Sequence, residues 1–230
     1  LDLAIDGSLI ATFWHQGQIC ESGTRLLVPE SLHDEIVERL VARTREIVVG
    51  DALDMDSGMG PLVSEAQRAT VEKYVEIGKA DGAKLVTGGR RAAGLDRGYY
   101  FEPTIFDGVR NDMRIAQEEI FGPVLSVITY KDVPEAIRIA NDSIYGLAGG
   151  VWSRDIPEAI NVAKAIRTGT VWINDYHLLN DKSPFGGYKQ SGVGRELGKT
   201  GLLEYSTTKH IHVAMDNRRE SHFVWDTLLP

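Results

Sequence analysis

The one cysteine of the chain, Cys20, stands in Gly17-Gln-Ile-Cys-Glu-Ser-Gly-Thr-Arg25, ahead of a strand-like run. A thiol used for packing has apolar neighbours on its own face, and here only Ile19 qualifies. A thiolate beside a turn rich in backbone N–H groups can instead attack a carbonyl carbon. The residues leave both readings open, nucleophile and plain buried thiol. A cysteine hydrolase needs a histidine base and a residue to orient it. The six histidines include His15, His33 and His177, and spacing singles out none of them as a partner.

A second segment, Glu118-Glu119-Ile-Phe-Gly-Pro-Val124, sets two carboxylates before a Gly-Pro turn that feeds an apolar run. One carboxylate could accept a hydrogen bond from a sugar hydroxyl or act as a base; the plainer reading is a solvated loop charge. A third, Pro184-Phe-Gly-Gly-Tyr-Lys-Gln-Ser-Gly192, has glycines that permit positive φ and close backbone approach. It lacks the ending and the strand–helix context of a phosphate-binding P-loop, so it reads as a structured turn. Phe13, Trp14, Trp172, Tyr176 and Phe185 lie beside these segments. His210 and His212 alternate on a strand-like run, but no third ligand is placed, and no metal site is expected.

Short β-rich runs alternate with amphipathic segments. Residues 24–28 read as a strand, and Ser31 with Asp34 resembles a capping box opening a helix with Ile36, Val37, Leu40 and Val41 on one face. Ser64 with Gln67 opens a second helix, stopped near Gly82. Strand-like pieces follow at 84–87 and 99–106. The run 124–130 is a buried strand, and Asp132-Val-Pro-Glu then starts a helix with Asp132 as N-cap. A strand at 147–152 follows, and Asp155-Ile-Pro-Glu repeats the same helix start. Gly169 stops that helix before a strand at 170–174, and a last helix covers 194–204. Strand, helix and strand in tight succession call for parallel pairing with right-handed crossovers. The expected fold class is α/β, a largely parallel twisted sheet flanked by helices. The run 210–215 is a further strand candidate without a neighbour in sequence, and a second subunit could cover it.

Composition narrows the partners. Of 230 residues, 43% are hydrophobic and 25% charged, with a net charge of −8. That balance belongs to a globular chain and argues against nucleic acid or an anionic membrane surface as the main partner. No apolar run is long enough for a transmembrane helix, and no secretory signal is visible. One cysteine permits no intrachain disulfide and fits a reducing, cytoplasmic setting.

Together and in this order, the segments resemble the aldehyde dehydrogenase superfamily. The matching stretches are Phe13-Trp-His-Gln-Gly-Gln-Ile-Cys-Glu-Ser-Gly-Thr-Arg25, Gln117-Glu-Glu-Ile-Phe-Gly-Pro-Val124, Gly169-Thr-Val-Trp-Ile-Asn174 and Pro184-Phe-Gly-Gly-Tyr-Lys-Gln-Ser-Gly-Val-Gly-Arg-Glu196. The resemblance implies that Cys20 is the catalytic cysteine. It would form a thiohemiacetal with an aldehyde and, after hydride transfer to NAD or NADP, a thioester that water releases as the acid. It implies that Glu119 holds the nicotinamide ribose, that Phe121 packs at the nicotinamide end, and that Gln67 falls at an adenosine-side contact. Trp14, Leu179 and Phe185 match the aldehyde channel, with His177 beside them. The strand near 210–215 matches one the family uses in subunit association, which implies a homo-oligomer.

Family chains are much longer. Their upstream half carries the main cofactor-binding domain, an oxyanion-hole asparagine and a glutamate base in Glu-Leu-Gly-Gly, and none of these is found here. The chain opens on Leu1 and reads as a catalytic half: 1–207 catalytic, 208–216 an oligomerisation strand, 217–230 a tail. Alone, it is expected to bind dinucleotide weakly and to oxidise aldehydes slowly or not at all. With the cofactor domain absent, the surface round Cys20 that it would cover is expected to be unusually apolar or poorly ordered. The alternatives are a cofactor-independent cysteine thioesterase or esterase and a non-catalytic association module.

Overall fold

The computed structural model describes residues 1–216 and 218. The first element is a helix that the sequence reading passed over, α1 (Asp2–Phe13). It buries Ile5, Leu9, Ala11 and Phe13 together with Gly7, Ser8 and Thr12. A helix apolar on most sides leaves no amphipathic stripe to read. Thr12 Oγ1 donates to the carbonyls of Ser8 and Gly23, so even its hydroxyl is satisfied in the interior.

The strands are β1 (Arg25–Pro29), β2 (Lys84–Thr87), β3 (Thr104–Asp107), β4 (Val124–Tyr130), β5 (Ala148–Val151) and β6 (Thr170–Ile173). The first four form one sheet in the order β1-β4-β3-β2. β1 and β3 pair with β4 in parallel, and β2 joins the edge antiparallel to β3. The piece expected at 99–106 starts later, at Thr104, after an isolated bridge at Phe101.

Both faces of this sheet are covered, which is why β4 reads as an unbroken apolar run. Val124 and Ile128 point with Phe106 into one core, with Val71, Val75 and Ile115. Leu125 and Val127 point with Ile105 into the other, against Leu9, Phe13, Ile36 and Leu40. Each fully buried side chain of this size contributes about 1.5–3 kcal/mol. The covering helices are α1, α2 (His33–Thr44), α3 (Glu65–Ala80), the short α4 (Arg114–Gln117) and α5 (Val133–Asn141). The last two helices are α6 (Ile156–Ala165) and α7 (Gly198–Leu203).

Local signals hold where the bond is local. Ser64, Asp132 and Asp155 each accept the backbone N–H three residues on, as N-caps do. The capping box expected at Ser31 does not form. Glu30–Leu32 is a 3-10 turn, and α2 starts at His33 with no side-chain cap. α6 ends at Ala165, before Gly169 is reached, and the helix expected at 194–204 shrinks to α7. β5 and β6 pair in parallel in a sheet of their own and do not extend the first sheet beyond β4. The run 210–215 forms no strand and is exposed. An edge strand has no ladder without a second strand to pair with, and none of the described residues supplies one. The expected tail, 217–230, lies outside the described residues except for Arg218.

α2 is fastened at its start by an imidazole. His33 Nε2 lies 2.7 Å from Asp107 Oδ1, and Nδ1 lies 2.8 Å from Asp34 Oδ1. The bond to Asp107, aided by Asp34, raises the His33 pKa above its ordinary value. A raised folded pKa gives stability that is complete below the unfolded value and is lost as pH rises through the folded one. Between about pH 6 and about pH 8.5, the wild type should therefore lose more Tm than His33→Gln does. Equal losses in a thermal melt would remove His33 from the account.

Candidate active site

The β1–β4 register builds the site. Arg25 pairs with Ser126 in parallel, so the residues that precede the two strands meet at the same end of the sheet. Cys20 lies before β1, and Glu119 and Phe121 lie before β4. This is the end opposite to the carboxyl ends where α/β sheets usually take ligands.

Behind α1 the backbone turns left-handed at His15 (φ 50°), Gln16 (φ 60°) and Gly17 (φ 68°). A Cβ on Gly17 would sit 2.2 Å from the Gly122 carbonyl oxygen. Glycine is required here because the two loops touch backbone to backbone. Cys20 then falls in a tight turn closed by Ser22 N–H donating to the Ile19 carbonyl. Its side chain is exposed, not a buried packing thiol.

The electrostatics round the thiol oppose ionisation. Burial raises its pKa first, and the Glu21 and Glu119 carboxylates raise it further. The backbone N–H groups of Cys20 and Glu21 pull the other way. Those N–H groups suit the oxygen of a tetrahedral adduct as well as the thiolate.

The pair Glu118-Glu119 splits into two roles. Glu118 accepts two bonds from Arg114 at 2.8 Å and one from the Tyr74 hydroxyl at 2.8 Å. The Arg114 bonds lead in holding its pKa down to about 2. Glu119 is left exposed, close enough for its charge to act on Cys20. Phe121 is exposed with φ 55°. α3 braces this loop: Gln67 Nε2 donates to the carbonyls of Ile120 and Phe121 at 2.9 and 2.8 Å. The Gln67 amide nitrogen is thus engaged within the chain, where it braces the loop. Val71 fills the space a Cβ on Gly122 would need. Gln67, Val71 and Tyr74 share one face of α3 by helical spacing.

The turn after β6 closes the other side. The His177 ring lies 5.1 Å from that of Trp14 and 4.9 Å from that of Tyr176, and the Trp172 ring lies 4.7 Å from that of Tyr176. Sequence reading missed Glu21 altogether. Its carboxylate lies 3.0 Å from His177 Nδ1, and its carbonyl accepts the Tyr176 hydroxyl at 2.9 Å. A carboxylate beside the cysteine was the one available signal. Leu179 is exposed on the same turn, and Phe185 is half-buried, its backbone paired with Glu196. Trp14, Phe121, Leu178 and Leu179 are exposed apolar side chains on these loops.

The glycine turn at 184–192 packs against the rest of the chain. A Cβ on Gly169 would overlap the Gly186 carbonyl at 1.5 Å, and Lys189 Nζ donates to the Asn141 and Ser143 carbonyls at 2.7 and 2.9 Å. Among the described residues no group of three or more His, Cys, Asp or Glu could hold a metal ion. No helix among them is long and apolar enough to cross a membrane.

The chain is similar to known proteins. The model of the aldehyde dehydrogenase family matches residues 1–211. A betaine aldehyde dehydrogenase from Bacillus subtilis is 52% identical over 92% of this chain, which spans 44% of that relative's length. One from Brucella anthropi is 50% identical over 94% of this chain, which spans 45% of it. Among solved structures, betaine aldehyde dehydrogenase from Staphylococcus aureus in complex with NAD+ superposes with a TM-score of 0.90 at 47% identity. That likeness covers 91% of this chain and 42% of the Staphylococcus chain.

Proposed function

Because the chain belongs to the aldehyde dehydrogenase family, we propose that it carries the catalytic face of an enzyme that oxidises an aldehyde to a carboxylic acid, with Cys20 as nucleophile. The observation that carries the reading is the meeting of two loops: an exposed thiol flanked by N–H donors, set against an exposed carboxylate and aromatic. Cys20 Sγ attacks the carbonyl carbon, and the Cys20 backbone N–H steadies the oxygen of the thiohemiacetal. An exposed carboxylate and an apolar ring beside the thiol fit the nicotinamide end of a dinucleotide. Glu119 would accept its ribose hydroxyls and Phe121 would pack against it. The chemistry a bound NAD or NADP supplies is acceptance of hydride. Cys20 holds the acyl group as a thioester until water releases the acid.

Trp14, His177, Leu179 and Phe185 are read as the aldehyde side, and betaine aldehyde is the first substrate to assay, given the relatives. The run 208–216 is read as an association strand between copies, since it exposes the alternate apolar residues Ile211, Val213 and Met215. The remaining parts of the reading are a catalytic unit over 1–207 and a cytoplasmic setting. The hydrolase alternative meets an obstacle: both ring nitrogens of His177 already face acceptors, Glu21 and Ala11. The ring has no nitrogen left to take the Cys20 proton.

An activated ester separates the two. With p-nitrophenyl acetate and no dinucleotide, the chain should acylate once on Cys20 and release acetate slowly. Rapid multiple turnover without dinucleotide would favour the hydrolase instead.

A further inference from the structure

Glu21 and His177 are separated by 156 residues in sequence and are both almost wholly buried, with side chains 7% and 3% exposed. Nδ1 lies 3.0 Å from Glu21 Oε1, and Nε2 lies 3.2 Å from the Ala11 carbonyl oxygen. An ionised carboxylate and a carbonyl only accept, and a neutral imidazole has a single N–H. Both bonds exist together only when the pair holds one further proton, on the ring or on the carboxyl. Either placement leaves the pair electrically neutral, the arrangement that burial favours.

The pair is also anchored mechanically. Tyr176, next to His177, donates its hydroxyl to the Glu21 carbonyl, so two neighbouring side chains grip the residue that follows Cys20. Ala11 O accepts Gly23 N–H at 2.8 Å as well, which ties the far side of the turn to α1. His177 is held at φ 62°, a conformation uncommon outside glycine that the surrounding contacts must maintain.

We infer that Glu21 and His177 are a proton-sharing pair that fixes the Cys20 turn and sets the charge beside its thiol, making both positioning residues for the reaction at Cys20. The role in a reaction rests on the function proposed above; the coupling to the thiol does not. The other charged or titratable groups round the turn are Glu119, which acts on the thiol, and His15 and Tyr176, whose rings flank Trp14 and His177. With the shared proton on the ring, the ionised Glu21 carboxylate is the member of the pair that acts on the thiol, so replacing it by an amide should ease ionisation of the thiol. Removing the ring strands a buried carboxylate beside Cys20 and should hinder it.

The test is the pH profile of iodoacetamide alkylation, which reads Cys20 alone because the chain has one cysteine. Glu21→Gln keeps the side-chain shape and should move the midpoint to lower pH, speeding alkylation near neutrality by roughly threefold to tenfold. His177→Phe should move it to higher pH in the wild-type background and leave it in place in the Glu21→Gln background. A midpoint unmoved or raised by Glu21→Gln overturns the inference by itself, even if His177→Phe does not fold. Equal His177→Phe shifts in both backgrounds also overturn it, since loosened packing without charge coupling gives that result. Aldehyde oxidation that survives loss of Cys20 would defeat the proposed function and leave these profiles interpretable.

Discussion

Cys20→Ser, in a protein that holds this chain together with a dinucleotide-binding half, should lose aldehyde-dependent NADH or NADPH formation by about a thousandfold or more, about 4 kcal/mol of barrier. The reason is the nucleophile. Serine is almost wholly protonated where the thiol already yields some thiolate. Cys20 begins with a handicap, because burial, Glu21 and Glu119 all hold its pKa up. The N–H groups of Cys20 and Glu21 are the opposing influence, and serine cannot exploit them at neutral pH. The exposed side chain packs against little, so the substitution should leave Tm nearly unchanged. Absorbance at the reduced-nicotinamide band, with a thermal melt beside it, separates lost chemistry from lost fold.

Gly17→Ala should act through geometry. The new methyl would stand 2.2 Å from the Gly122 oxygen and 2.5 Å from its carbonyl carbon. Both are backbone atoms, so no side chain can swing aside. The left-handed φ of 68° adds about 1–2 kcal/mol of strain for any residue with a Cβ. The loops carrying Cys20 and Glu119 must then move apart by an ångström or so, a displacement that costs about a hundredfold in rate when reacting groups are involved. The loss should fall on kcat and on dinucleotide KM together. Unchanged kcat and KM in steady-state assays would show that the loop contact does not position the site.

How much of this was legible depended on the range of each interaction. The caps at Ser64, Asp132 and Asp155 bond three residues ahead, and the sequence states them openly. β4 announced itself as an apolar run because it is buried on both faces. Ser31 failed as a cap because a 3-10 turn takes its place, a choice between near-equal local conformations. α1 escaped notice because its apolar residues wrap the helix. The separation of β5–β6 from the first sheet and the missing strand at 210–215 depend on partners that no local pattern names.

The site divides the same way. Cys20 and Glu119 could be singled out from residue type and neighbours, and the resemblance then gave them roles. Which of Glu118 and Glu119 is free was settled by Arg114 and Tyr74, one of them on a different helix. Glu21 and His177 meet only through the fold. That the Gln67 amide braces the loop bearing Phe121 likewise emerges only from the fold.

The most direct measurement of the central claim is intact-mass and peptide mass spectrometry of that longer protein, quenched in acid during turnover with aldehyde and dinucleotide. One acyl group per chain is expected, on the peptide bearing Cys20, absent without dinucleotide and absent from Cys20→Ser. Full turnover with no acyl group on Cys20, and undiminished activity in Cys20→Ser, would contradict it.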